Sequence, residues 1–271
     1  MRRNARNGKV PVGDTYMSYA AFGQGEKAFV ILPGLSDGLA TVEGKAILLA
    51  KPYEMFFDRY TVYMFSRKDR MPEGYSIKDM ADDQAEAMRA LGMTKASVMG
   101  VSQGGMIAQC LAADHPELVE KLVLAVTAPC VNDTVRSGIA EWLDAAEAGD
   151  HRRLMVSTAE KSYSEAYLRK YRKLYPILRF VGKPSDYGRL RANAGAILNF
   201  GGAGDLGKIR CPVLIVGGSE DKIVGAAASR ELHEMIPGSE LYIYEGLGHA
   251  AYEEAKDFNA CVLEFLERGN D

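Results

Sequence analysis

The stretch Ala96-Ser97-Val98-Met99-Gly100-Val101-Ser102-Gln103-Gly104-Gly105-Met106-Ile107 passes from one backbone period to another without a break. Its first residues form a short, apolar, β-leaning run. Beyond the glycines, Met106, Ile107, Cys110 and Leu111 recur three and four apart, the spacing of a buried helix face. Ser102 therefore sits on a sharp turn between a strand and a helix. Such a turn crowds the backbone, and Gly100, Gly104 and Gly105 supply positions without side chains around it. Two consequences follow. The hydroxyl projects clear of the sheet, and the helix aims its unpaired N-terminal N–H groups at the same place.

Composition sets the class around that turn. With 271 residues the chain is long enough for one large α/β domain with an insertion, or for two small domains. A 47% hydrophobic content and 25% charged residues are ordinary for a soluble globular protein. A net charge of −3 gives no footprint for nucleic acid. No apolar stretch is long enough to span a bilayer, so no membrane partner is expected. Met1-Arg2-Arg3-Asn4 is basic but has no apolar run behind it, which argues against a secretory signal. Cys110, Cys130, Cys211 and Cys261 are scattered without CxxC spacing. They read as free, mostly buried thiols in a reducing, cytoplasmic compartment, with neither a zinc site nor a disulfide frame.

Taken in order, Val10-Pro11-Val12 and the run from Thr15 to Ala20 flank Gly13-Asp14, which predicts two strands and a tight turn. Ala28-Phe29-Val30-Ile31-Leu32 reads as a strand buried on both faces, ending in the loop Pro33-Gly34-Leu35-Ser36-Asp37-Gly38. A helix is expected over 42–57, a strand over 60–65, and a charged loop over 66–70. From Ser76 a helix buries Ile77, Met80, Ala81, Met88 and Leu91, carries acidic residues in its first turns, and stops at Gly92. Val119 to Val126 is a further strand. This alternation argues for a largely parallel sheet covered on both faces.

The rhythm then breaks. Residues 129–205 contain no strand-like run; Trp142, Leu143 and Ala146 mark one helix, and Tyr163, Tyr167, Tyr171, Leu174 and Leu178 form a stripe at helical spacing that Pro176 should bend or end. Packing between this insertion and the core is the plainer reading of the tyrosines. Residues 161–191 carry nine Lys/Arg and two acidic residues, a net of +7 within a chain of net −3. A solvated basic face explains them most simply; steering of anionic substrates is the alternative. The sheet resumes with Pro212-Val213-Leu214-Ile215-Val216, a helix runs to Ile236, and Leu241-Tyr242-Ile243-Tyr244 is the last strand. A final helix buries Tyr252, Phe258, Cys261, Val262, Phe265 and Leu266.

A serine hydroxyl is a poor nucleophile until a base takes its proton, and the base needs an acceptor to hold its tautomer. Of the four histidines, His115 lies at a helix end, His151 in the insertion and His233 within a helix; His249 alone lies in a glycine-flanked loop at a strand end. Asp221 follows another strand end, with Glu220 as the runner-up. Ser102, Asp221 and His249 thus come from loops on one edge of a parallel sheet, the edge where such sheets bind ligands.

Gly100-Val101-Ser102-Gln103-Gly104 in its strand–turn–helix setting, with this order of Ser, Asp and His, resembles the nucleophile elbow and triad of the α/β-hydrolase superfamily. The resemblance covers nearly the whole chain. It implies an α/β-hydrolase fold: a mostly parallel twisted sheet with helices on both faces, a core of 1–128 and 206–271, and a helical cap of 129–205 over the active site. It implies Ser102 as nucleophile, His249 as base and Asp221 as acid, the last favoured by the aliphatic pair Ile223-Val224. It also implies an oxyanion hole from the N–H groups of Leu35 and Gln103, with no metal or organic cofactor. The family's loop usually reads His-Gly-x; here Pro33 stands in the histidine's place, and Ser36 is a substitute donor. Serine at the elbow argues against dehalogenases and epoxide hydrolases, which carry aspartate. Attack on a small or medium ester, lactone or related acyl compound is the expected reaction, on a small-molecule substrate. Carbon–carbon bond hydrolases and thioesterases share the same machinery, and some members act as receptors with the triad intact. Homo-oligomerisation stays open.

Overall fold

A computed structural model describes residues 4–202, 204 and 206–269. The expectations that fall on Met1, Arg2, Arg3 and Asp205 lie outside these described residues. Among the described residues, eight strands form one sheet: β1 (Arg6–Val12), β2 (Thr15–Gly23), β3 (Lys27–Leu32), β4 (Tyr60–Lys68), β5 (Ala96–Val101), β6 (Val119–Ala125), β7 (Val213–Gly218) and β8 (Glu240–Tyr244). Their order is β1-β2-β4-β3-β5-β6-β7-β8. The β1–β2 and β2–β4 pairs are antiparallel and all the others parallel. The helices are α1 (Ala46–Ala50), α2 (Ile77–Ala90), α3 (Gln103–Asp114), α4 (Asp133–Glu147), α5 (His151–Ser162), α6 (Glu165–Tyr171), α7 (Gly188–Leu198), α8 (Ala228–Met235), α9 (Ala251–Glu254) and α10 (Phe258–Glu267). The chain is thus a mostly parallel sheet with helices on both faces, as the α/β-hydrolase resemblance implied.

The central strands are apolar without interruption because both faces are covered. Successive residues alternate between two cores. Val30, Leu32, Val98, Leu122, Leu124, Val213 and Ile215 pack on the side of α2, α3 and α8. Phe29, Ile31, Met99, Val123, Ala125, Leu214 and Val216 pack on the side of α1 and α10. α2 starts where the sequence predicts: Ser76 and Asp79 exchange side-chain and backbone hydrogen bonds in a capping box.

Several local expectations are corrected. The predicted helix over 42–57 is α1 followed by a 3₁₀ turn, Lys51–Phe56. Pro52 lacks the N–H that an α-helical ladder requires there. The predicted charged loop over 66–70 is instead mostly strand, since β4 continues to Lys68 with Ser66 and Arg67 buried. The tyrosine stripe is not one helix. Tyr163 is extended (φ −99°, ψ 154°) after α5, Tyr167 and Tyr171 lie in α6, and Pro176 lies in a 3₁₀ turn, Arg172–Ile177. The rings still stack, with centroids 4.4 and 4.3 Å apart. The final helix is two, because Ala255 is extended between α9 and α10. All four cysteines are free, but Cys110 alone of them is fully buried.

α4 to α7 lie between β6 and β7, as the break in strand rhythm predicted. No helix among the described residues is long and apolar enough to cross a membrane.

Candidate active site

The turn after β5 shows why its glycines are there. A Cβ on Gly100 would lie 2.3 Å from the Gly104 carbonyl oxygen, and one on Gly104 would lie 1.9 Å from that of Leu32. β3, β5 and α3 can meet this closely only without those side chains. Ser102 itself has φ 53° and ψ −120°, a conformation L-residues rarely adopt. Its N–H is held by the Ala125 carbonyl, and Thr127 Oγ1 donates to its carbonyl oxygen at 2.7 Å, so the end of β6 and the loop after it hold the strained residue on both sides.

The loop 33–38 after β3 abuts this serine: a Cβ on Gly34 would stand 3.7 Å from Ser102 Oγ. Leu35 opens the 3₁₀ turn Leu35–Gly38, and Gln103 opens α3. The first N–H groups of a helix have no partner within it, so both positions offer backbone donors beside the hydroxyl.

Asp221 and His249 come together from the loops after β7 and β8. His249 Nδ1 lies 2.8 Å from Asp221 Oδ2. Asp221 Oδ1 accepts the N–H groups of Ile223 at 2.8 Å and Val224 at 3.0 Å. The aliphatic pair after the aspartate thus has a local meaning: its amides close a turn that orients the carboxylate. With Nδ1 donating to that carboxylate, Nε2 is the ring nitrogen free to accept. Both residues are largely buried, whereas Glu220 is exposed.

Ser102 and His249 line one cavity of about 180 Å³. The core contributes Gly34, Leu35, Ser36, Leu39, Val101, Ile223 and Tyr252; the inserted helices contribute Trp142, Leu154, Met155, Thr158, Ser162 and Leu190. Among the described residues of the wall, the Tyr252 phenol is the one titratable side chain besides His249, and burial strongly opposes its ionisation. A second, smaller cavity of about 20 Å³ is also lined by Ser102, together with Gln103, Met106 and α4. Among the described residues, no group of three or more His, Cys, Asp or Glu is placed to hold a metal ion.

The other histidines are engaged elsewhere. His115 Nε2 is 2.7 Å from Asp82 Oδ1, at the surface. His151 bridges Tyr187 Oη at 3.0 Å and the Val181 carbonyl at 2.8 Å inside the insertion. His233 Nδ1 meets Ser239 Oγ at 2.9 Å. None of the nine Lys and Arg residues of 161–191 lines the cavity. Arg172 is clamped between Glu160 and Glu165, and Arg189 points inward. The tyrosine stack is also absent from the wall; Tyr163 donates to Glu253 and joins α5 to α9.

A buried polar cluster beneath the site escaped the sequence reading. Arg67 Nη2 donates to the Pro33 carbonyl at 2.6 Å and to Gln103 Oε1 at 3.2 Å. Gln103 Nε2 donates on to the Asn193 carbonyl at 3.0 Å. Asp37 Oδ2 accepts from the Arg67 N–H at 3.1 Å and from Arg189 Nη2 at 2.7 Å. One guanidinium therefore ties the residue before Gly34 to the side chain of the residue after Ser102. Burial pushes the Arg67 pKa down, and Asp37 opposes that shift. The one signal in the sequence was the charge of 66–70, which reads as exposure; its partners are too distant in the chain to be paired by eye.

Residues 27–256 match the model of a family described as the alpha/beta hydrolase fold. A protein named carbamate hydrolase RutD from Caulobacter sp. (strain K31) is 29% identical over 255 residues, spanning 86% of this chain and 89% of that protein. Its counterpart of the same name from Escherichia coli O157:H7 is 30% identical over 217 residues, spanning 73% of this chain and 76% of its own length. The crystal structure of the enol-lactonase from Burkholderia xenovorans LB400 superposes with a TM-score of 0.78 at 20% identity, covering 96% of this chain and all of that one, a likeness of fold. The chain belongs to the α/β hydrolase fold family and is a hydrolase.

Proposed function

We propose that this protein is a serine hydrolase of neutral, small to medium esters and related acyl compounds. The observation that carries the reading is the Asp221–His249 hydrogen bond of 2.8 Å behind a cavity that Ser102 and His249 share. Ser102 Oγ attacks the carbonyl carbon while His249 Nε2 takes its proton, and Asp221 stabilises the imidazolium. The N–H groups of Leu35 and Gln103 receive the oxyanion. His249 then gives the proton to the leaving oxygen, and a water activated by the same imidazole releases the acid and regenerates Ser102. Residues 129–205 act as a cap on a core of 1–128 and 206–271, in a cytoplasmic enzyme.

A neutral substrate follows from the wall. An anionic group in the cavity would face apolar side chains and find no cation to compensate its lost hydration. The name shared by the two relatives favours a second reading, in which a carbamoyl compound enters the same machinery. The test is labelling with a fluorophosphonate probe together with turnover of phenyl acetate and phenyl carbamate. Wild type should be labelled, Ser102→Ala should not, and Ser102→Ala should lower kcat by about 10⁶-fold. A folded wild type that resists the probe, or a labelled Ser102→Ala, would remove the serine mechanism. Turnover of the carbamate but not the acetate would favour the second reading.

A further inference from the structure

We infer that this hydrolase takes a two-carbon acyl group in the small lobe beside Ser102 and a larger apolar leaving group in the main cavity. The inference rests on the serine-hydrolase reading above. It comes from the unequal sizes of the two spaces and from where the histidine stands.

Ser102 lines both the cavity of about 180 Å³ and the lobe of about 20 Å³, and Leu35, Trp142 and Ile223 are common to their walls. A carbonyl held at Ser102, with its oxygen on the Leu35 and Gln103 N–H groups, must therefore send one substituent into each space. Chemistry decides which. The base that takes the serine proton returns it to the leaving oxygen, so the leaving group must lie on the histidine's side. His249 lines the larger cavity and not the smaller. The leaving group occupies the larger cavity, and the acyl chain is left with a space that holds about one methyl group.

Gly138 creates that space. It is buried in the interior of α4, on the face that also buries Val135, Ile139 and Trp142. Glycine in a helix interior costs about 1 kcal/mol relative to alanine. Yet a Cβ here would meet no heavy atom within 4 Å, so packing does not require the glycine. The missing methyl is open volume, walled by Met106, Val135, Ile139 and Val224. A methyl on the acyl carbon of the substrate fills what the alanine would have filled.

The step balances as an acyl transfer. The Ser102 Oγ–carbon bond forms and the carbon–alkoxy oxygen bond breaks. The serine proton passes through His249 to the departing alcohol. Water then splits acetyl-Ser102 into acetate and the free serine.

The experiment compares p-nitrophenyl acetate, propionate and butyrate on wild type, Gly138→Ala and Gly195→Ala. Gly195 lies within α7, its Cβ would also meet nothing, and it faces a different cleft, so it controls for helix propensity. Wild-type kcat/KM should fall by about tenfold per added methylene. Gly138→Ala should lower kcat/KM for the acetate by about tenfold or more, with Tm unchanged or raised. Gly195→Ala should leave kcat/KM unchanged. A wild-type kcat/KM that rises from acetate to butyrate would place the acyl chain in the large cavity and overturn the inference while sparing the serine mechanism. So would full acetate activity in Gly138→Ala. A folded wild type with no turnover of any ester and no probe labelling would overturn both.

Discussion

Arg189→Met is the substitution whose effect the structure sets most tightly. Arg189 Nε donates to the Asp37 carbonyl at 3.0 Å and Nη1 to the Lys68 carbonyl at 2.9 Å. Nη2 donates to Asp37 Oδ2 and to the Arg67 carbonyl, both at 2.7 Å. The side chains of Arg189 and Asp37 are 19% and 1% exposed, so this ion pair is largely removed from water. Among the described residues Asp37 Oδ1 has no hydrogen-bond partner, and without Arg189 the Asp37 carboxylate would keep only the Arg67 N–H. Removing one member of a buried pair in this way costs about 3–5 kcal/mol. For a domain of this size that is a Tm lower by about 6–15 °C, taking roughly 2–3 °C per kcal/mol. Denaturant midpoints on wild type and Arg189→Met measure it. The double variant Asp37→Asn, Arg189→Met separates charge from packing. With no stranded carboxylate it should recover about 1–3 kcal/mol of the loss. Asp37 belongs to the loop that carries Leu35, so ester kcat should fall in the single variant and recover with the stability. An Arg189→Met protein within about 1 kcal/mol of wild type would refute the reasoning, and so would a double variant no better than the single one.

Two further tests bear on histidine roles and on pH. His249→Ala should abolish turnover with little change in Tm, whereas His115→Ala and His233→Ala should keep most activity; His151→Ala should lose about 1–3 kcal/mol of stability, because its buried ring bonds the buried Tyr187 hydroxyl and the Val181 carbonyl. Hydrogen bonding to Arg172 draws the Glu160 pKa from 4.5 to about 2. A depressed carboxylate pKa stabilises above the unfolded value, and that contribution disappears as pH falls through the folded one. Glu160→Gln should therefore be less stable than wild type at neutral pH, by under about 1 kcal/mol because the pair is partly solvated. The difference should vanish between about pH 4.5 and 2 in urea titrations.

Much of this molecule was legible because its signals are local. The elbow could be read from Gly100 to Gly105, since the close approach that forbids a Cβ there leaves its mark in consecutive residues. Strand order in the chain, the start of α2 after Ser76 and the insertion before β7 follow from periodicities of two and 3.6 and from their interruption. Asp221 was set above Glu220 only by the family resemblance, through the aliphatic pair that follows it; the structure adds that the amides of that pair, two and three residues on, hold its carboxylate. What sequence misread was set by partners far along the chain. Residues 66–68 look solvated until Asp37 and Arg189 are brought to them, 30 and 122 residues away. A charged segment in β4 is tolerable only because those groups compensate it, and no local pattern encodes that. The unequal lobes at Ser102 are of the same kind. Gly138 is an unremarked helix glycine in the sequence, and it becomes open volume beside Ser102 only when α4 folds back over the sheet edge, since empty space belongs to the packing of several elements and to no single one.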